Sequence, residues 1–475
     1  MKNQISEKAD AIYFLMWNGW KNELRSNRWH YASRWAKYLP VVLVQDCLPP
    51  NSLATSSEDE PRIDNCKILN IPILPGEHGS VFSDVMSAYH IVSEMKKQGH
   101  KRPILWMYNP NYSGVYAIIP AVLRIYHLTE NYFYFDKVQQ QFLDKIMASV
   151  AISDLCIAVS EGVAKSHRPY AYGRVEVVTN GCDYEFYSTD QIDCELKSIS
   201  KRWDNVAIYA GNINNRIDFN LIEKVALQFP DTLFALFGPV AGLNKEEQTH
   251  WETLKEVINV WYAGSVDVFR LPGLYASADV GLIPYKKDPI LIDNTFPLKA
   301  FEMLSSGLPV VSTFMNALTS FSLDGLDVTD TDEDFVAAVN GFLHGSLDSP
   351  QRREIAKICQ LQDYGVKFNT VLELIEKLPG SACQLRAPAL SLTGHAEDFD
   401  SLELGNLNSL NMGDETVQLS TMASKTRAHT KPFRIIRDRL SDSQKSKIIQ
   451  YGARYLPKIA RNFIVKIYLH FLHRM

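Results

Sequence analysis

Short apolar runs alternate with amphipathic stretches along most of the chain. Residues 11–17 (AIYFLMW), 41–45, 68–74, 104–108, 155–159 and 175–179 each have the length and composition of one buried strand. Residues 28–38, 81–98 and 135–151 carry helical periodicity between them. Residues 49–62 read as a polar, proline-bearing loop. Residues 109–116 form a turn-rich connection into an apolar region that ends at His127. A second series follows the turn Asn180-Gly181-Cys182-Asp183. Its strands are 206–209, 232–237, 260–263 and 280–284, and its helices 218–228 and 269–277. Continuous apolar strands alternating with helices predict parallel sheets covered on both faces. The break near residue 185 predicts two Rossmann-like α/β domains, with ligands bound outside the carboxyl ends of the strands.

The stretch 295–313 (TFPLKAFEMLSSGLPVVST) concentrates the candidate chemistry. Thr295 is expected to cap a helix, Pro297 to sit in its first turn, and Gly307 with Pro309 to stop it before a buried strand. Lys299 and Glu302 are its only charges, spaced i, i+3 on one face. A lysine in the first turn opposes the helix dipole unless an external anion sits there, held by free N–H groups and the ammonium together. Glu302, one turn deeper, is then placed to accept hydrogen bonds from a pair of hydroxyls. A diphosphate beside a ribose has that arrangement; an ordinary helix with one Lys–Glu pair is the other reading.

At 475 residues the chain is expected to hold two or three domains. Its 46% hydrophobic and 22% charged content is that of a globular protein with sizeable cores, and the net charge of −5 points to no particular partner. Seven cysteines occur singly, without a CxxC pair or a His/Cys cluster, which predicts a reducing compartment and no metal. The polar start is not a signal peptide, and no run of about eighteen apolar residues predicts a membrane span. Composition changes at 380–428, where Ser, Asn, Thr, Gly and Asp predict a flexible linker. It changes again at 429–475, where basic residues interleave with aromatic and aliphatic ones. A basic amphipathic helical tail of this kind is expected to lie on an anionic membrane surface. The other reading docks it on the protein itself or on RNA, although no nucleic-acid partner is expected.

Six motifs in order carry a family resemblance: Ala158-Val159-Ser160-Glu161-Gly162; Val178-Thr179-Asn180-Gly181-Cys182-Asp183; Tyr209-Ala210-Gly211-Asn212-Ile213 with Arg216 and Asp218; Phe237-Gly238-Pro239-Val240; Trp261-Tyr262-Ala263-Gly264; and Pro297-Leu298-Lys299 with Glu302 and Gly307-Leu308-Pro309-Val310-Val311. Together they resemble the GT-B glycosyltransferases, in particular bacterial enzymes similar to glycosyltransferase family 4, over about residues 10–378. The resemblance implies an α/β, GT-B chain with two facing Rossmann-like domains: an acceptor domain at 1–184 and a nucleotide-sugar domain at 185–350. Closing helices at 351–379, the linker and the tail follow. It implies that Glu302 holds the donor ribose and that Lys299, Arg216, the Gly211 loop and Pro297 surround its diphosphate. Many retaining members carry a second glutamate eight positions before the ribose-binding one. Asn294 stands there, able to hydrogen-bond a sugar hydroxyl but not to act as a base, with Asp293 and Asp288 as candidate substitutes.

On the acceptor side, Tyr126 to Asn131 is similar to a Tyr-Asp-x-x-Asp-Asp stretch of related enzymes, which makes Glu130 and His127 the two candidate general bases. Gly19 and Trp20, with Arg28 and His30, are expected at the acceptor face, where the rings of Trp17 and Trp20 could stack on a sugar; for Trp17 core packing is the favoured reading. The implied activity is a hexosyl-type, metal-independent transfer from a nucleotide-diphosphate sugar, with no further cofactor. Its acceptor would be a hydroxyl of a glycan or lipid-linked oligosaccharide in surface polysaccharide biosynthesis. The implied location is cytoplasmic, peripheral at the inner face of the membrane. A GT-B nucleotide-sugar epimerase and a non-catalytic module binding sugar nucleotide or glycan are the alternatives.

Overall fold

The computed structural model describes residues 8–378, apart from 18–19, 21–22, 24, 48–62, 73–79, 136–137, 322 and 346. The linker at 380–428, the tail at 429–475 and Gly19 therefore lie outside the described residues.

Strands β1 (Ala11–Leu15), β2 (Val41–Cys47), β3 (Cys66–Pro72), β4 (Pro103–Met107), β5 (Leu123–Leu128), β6 (Leu155–Ala158) and β7 (Arg174–Val177) form a seven-stranded sheet. Its order is β3-β2-β1-β4-β5-β6-β7 and its pairings are parallel. Strands β8 (Asn205–Ala210), β9 (Thr232–Phe237), β10 (Val260–Gly264), β11 (Val280–Ile283), β12 (Val310–Thr313) and β13 (Leu326–Thr329) form a second parallel sheet, ordered β10-β9-β8-β11-β12-β13. Every residue of β1, β4, β5 and β9 is buried, because helices cover both faces; that is why these strands read as unbroken apolar runs. Strand order reverses between β1 and β4 and between β8 and β11, and a crevice opens at such switch points.

Local signals set most helix starts. Ser80 caps Val81–Gln98, Ser160 caps Glu161–His167, Asp218 caps Phe219–Gln228, and Asn244 forms a capping box with Glu247. Three expectations shift. The helix expected from 135 begins at Gln140, because Tyr132–Tyr134 make a separate 3-10 turn in which the Tyr132 ring packs on Phe135 and Phe142. The connection expected at 109–116 runs from a 3-10 turn, Pro110–Tyr112, into the helix Ser113–Ile118. Residues 269–277 divide into a 3-10 turn, Val268–Arg270, and the helix Leu271–Ala276, with Pro272 at its start.

The backbone passes from the first sheet to the second at Cys182 and returns at Asp363. The two crossings bond to each other: Cys182 N–H donates to the Gln362 carbonyl and Tyr364 N–H to the Cys182 carbonyl, both at 3.0 Å. Of the helices expected to close the globular part, Ser349–Ile358 packs on the second domain. Tyr364–Glu376 returns to the first, where Tyr364, Phe368, Val371 and Leu372 enter its core.

Candidate active site

A cleft of about 970 Å³ lies where the carboxyl ends of the two sheets face each other. Trp17, Arg28, Tyr108 and Glu130 line it from the first domain, and Gly211, Arg216, Lys299 and Glu302 from the second. The helix Leu298–Ser305 points its first turn into this space. Thr295 is not its cap: it terminates the preceding helix, Pro289–Asn294, and Pro297 takes the N-cap position with φ −75° and ψ 111°. Phe296 between them is buried against Phe301, with ring centroids 5.5 Å apart, which fixes the extended entry. No side chain caps this helix; Ala300 N–H bonds the Pro297 carbonyl at 3.3 Å, while Leu298 and Lys299, at the uncapped start, line the cleft.

Lys299 lies over the Tyr209 ring, 3.8 Å from its centroid, with the Tyr285 ring at 5.4 Å. Gly211, at φ +146°, lets the ammonium reach the β8 loop; a Cβ there would collide with Nζ. Burial presses the Lys299 pKa down, but the Tyr209 and Tyr285 phenols outweigh it and hold the group above its ordinary range. One turn deeper, burial raises the Glu302 carboxyl to about 7, against the opposing pull of Lys299 and a hydrogen bond with Tyr187. Tyr187 stacks on Tyr275, centroids 5.9 Å apart, which holds that hydroxyl in place. A half-buried cation, an uncapped helix start and a half-buried carboxyl thus converge within one turn of one helix.

Arg216 does not pair with Asp218, whose carboxylate caps a helix by accepting from Leu221 N–H at 3.0 Å. Instead its Nη2 stands 3.6 Å from Oε2 of Glu130 across the cleft, each side chain about one third exposed. Burial raises the Glu130 pKa, and Arg216 draws it partly back. Asn294 also bridges the domains. Its Oδ1 accepts from Asn131 Nδ2 at 2.7 Å and its Nδ2 donates to the Ile290 carbonyl at 2.9 Å. Gly162 permits this approach, since a Cβ there would run into the Asp293 carbonyl. Asp288 caps the helix Pro289–Asn294 and Asp293 accepts from Asn316, and neither lines the cleft.

The first-domain side of the cleft differs most from expectation. His127 is 1% exposed, packed among Tyr108, Tyr31 and Trp106, and burial lowers its pKa to about 3. It sits behind Tyr108 rather than on the cleft surface. Trp20 is 6% exposed in the first core, its backbone N–H donating to Gln45 Oε1, whereas Trp17 lines the cleft beside Tyr132 and Phe142. Trp20 therefore packs in the core instead of facing the cleft, and Trp17 faces the cleft. His30 is buried against Tyr364, while Arg28 reaches the cleft and pairs with Glu23 at 2.6 Å. Among the described residues no group of three or more His, Cys, Asp or Glu is placed to hold a metal.

Residues 205–344 match the family described as Glycosyl transferases group 1. A Bacillus subtilis (strain 168) protein, provisionally named teichuronic acid biosynthesis glycosyltransferase TuaH, is 29% identical over 203 residues. That match spans 42% of this chain and half the length of the relative. Among solved structures, a sucrose-phosphate synthase from Thermosynechococcus elongatus superposes with a TM-score of 0.59 at 14% identity, covering 78% of this chain and 99% of that one. Alr3699/HepE of Anabaena, determined in complex with UDP and glucose, gives 0.57 at 16% identity over 78% of this chain and all of its own. Residues 205–344 thus match a glycosyl transferases group 1 domain, in a chain whose two α/β domains have the GT-B fold of these solved structures.

Proposed function

We propose that the protein is a glycosyltransferase that moves a sugar, of hexosyl type, from a nucleotide-diphosphate sugar to a hydroxyl of a glycan or lipid-linked acceptor in surface polysaccharide biosynthesis. The observation that carries this is the convergence of Lys299, the uncapped amides of Leu298–Ser305 and Glu302 on the Gly211 loop. The donor diphosphate lies against Lys299 and those amides, and the ribose hydroxyls donate to the Glu302 carboxylate. The leaving diphosphate gains charge as the glycosidic bond breaks, so fixed cations and amides stabilise the transition state more than the ground state. Such positioning does the work asked of a metal, and no metal is required. Asn294 holds Asn131 and offers no base. Glu130, at the cleft surface with a raised pKa, fits the general base better than the enclosed His127. The named teichuronic acid relative supports a polysaccharide as product.

Nucleoside diphosphate released from a panel of nucleotide sugars, with and without glycan acceptors, tests the reading. Slow donor hydrolysis is expected, lowered by about 100-fold in Lys299→Ala and Glu302→Ala. Binding without any turnover would make the protein a non-catalytic module. Free sugar released as an epimer would make it an epimerase.

The tail at 429–475 is proposed to hold the cleft at an anionic membrane on the cytoplasmic side. No helix among the described residues is long and apolar enough to cross a membrane. Flotation with anionic liposomes should retain the full chain and lose one truncated at 428; equal recovery removes the membrane from the proposal.

A further inference from the structure

The loop after β5 touches the second domain through two consecutive side chains. Glu130 faces Arg216 at 3.6 Å, and Asn131 donates to Asn294 at 2.7 Å. The second contact is a neutral hydrogen bond between two buried or half-buried groups, and it fixes where the loop stands relative to Pro289–Asn294. The first is a charge pair in the open cleft, beside Gly211 and Lys299. An arriving diphosphate is a second anion for the same guanidinium, and a stronger one, because a phosphate offers a bidentate acceptor. It also repels the carboxylate that already faces Arg216.

From this geometry we propose that Arg216 is exchanged between two anions: Glu130 in the donor-free protein and the donor diphosphate in the complex. Donor binding therefore frees Glu130 to face the acceptor hydroxyl, and the acceptor-side carboxylate is unavailable until the donor is in place. This rests on the donor reading above and adds an order to it, donor before acceptor. The Asn131–Asn294 bond keeps the loop seated during the exchange, so only the Glu130 side chain has to move.

The test is the affinity of nucleoside diphosphates, measured by calorimetry on the full chain with ADP, GDP and UDP. Removing the competing carboxylate in Glu130→Gln should tighten binding of the best ligand by roughly two- to five-fold, the worth of a part-exposed ion pair. Arg216→Ala should weaken it, and adding Glu130→Gln to Arg216→Ala should then bring no gain. Glu130→Ala repeats the measurement should the glutamine pair with Arg216 in its own right. Unchanged affinity in both Glu130 variants overturns the exchange. A gain that persists undiminished in Arg216→Ala also overturns it, since that is plain charge repulsion. If the native chain binds none of the three diphosphates, the donor reading fails as well, an outcome distinct from either.

Discussion

Glu302 combines two demands that conflict. In its proposed role, accepting from both hydroxyls of a diol with both oxygens, it must be ionised, yet burial raises its carboxyl to about 7. A carboxyl whose pKa rises on folding favours the folded state below its unfolded value, near 4.5, and loses that contribution as pH rises through 7. Each pKa unit is worth about 1.4 kcal/mol, so ionised Glu302 costs the fold up to about 3 kcal/mol at pH 8. Glu302→Gln keeps the shape and removes the charge. It should raise the melting temperature at pH 8, with the gain fading to nothing toward pH 4.5, while nucleoside diphosphate affinity falls at every pH. A variant no more stable than the native chain at pH 8 would mean that the carboxylate is well solvated. Both residues of this helix were legible in the sequence, because a lysine and a glutamate one turn apart stand out in an apolar stretch. Their cradle was not. Tyr209, Tyr285 and Tyr187 come from three separate segments, and nothing local marks a phenol that will meet a buried charge.

Most element positions follow from local chemistry: unbroken apolar runs for strands buried on both faces, and Ser, Asp or Asn caps for helices. The exceptions arise where tertiary packing overrides the local pattern. Thr295 has the chemistry of a cap, but the short helix Pro289–Asn294 runs up to it, seated on the start of Glu161–His167 through Gly162. Trp17 and Trp20 are alike in sequence, and only the path of the chain decides which one reaches the cleft. The β8 loop tests how far an element alone sets the site. Gly211 is at φ +146°, a region that L side chains avoid, and its missing Cβ is what admits the Lys299 ammonium. Gly211→Ala should lower diphosphate affinity by about tenfold, because the ammonium is pushed away from the loop where phosphate would lie. Strain at that φ costs about 1–3 kcal/mol of stability in addition. Calorimetry and thermal melting separate the two effects; full affinity in a destabilised Gly211→Ala would place the diphosphate elsewhere.

At the scale of the whole molecule, two chain crossings join the domains among the described residues, and the Asp363 side chain bonds to both sides of them. Asp363 accepts from Tyr184 N–H at 3.1 Å, which follows the first crossing, and pairs with Arg34 of the first domain at 3.4 Å. The helix that begins after it, Tyr364–Glu376, is the last described element, yet its apolar face completes the first domain. Phe368 packs on Trp35 with ring centroids 5.4 Å apart, and on Tyr31 and Tyr38. The sequence reads 351–379 as closing helices without giving their destination, because a helical stretch shows that a partner exists without saying which. Phe368→Ala removes a buried ring from that interface and should cost about 3–5 kcal/mol. The loss belongs to the first domain although the residue follows the second in the chain. Hydrogen exchange should therefore show protection falling in Asn27–Trp35 and β1, while β8 and β9 keep theirs. That pattern would carry a functional consequence. Asn27 and Arg28 at the start of the loosened helix line the first-domain side of the cleft, the acceptor side in the proposed function, so acceptor KM should rise while nucleoside diphosphate affinity holds. Equal loss of protection in both sheets would instead mean that the two domains unfold as one unit.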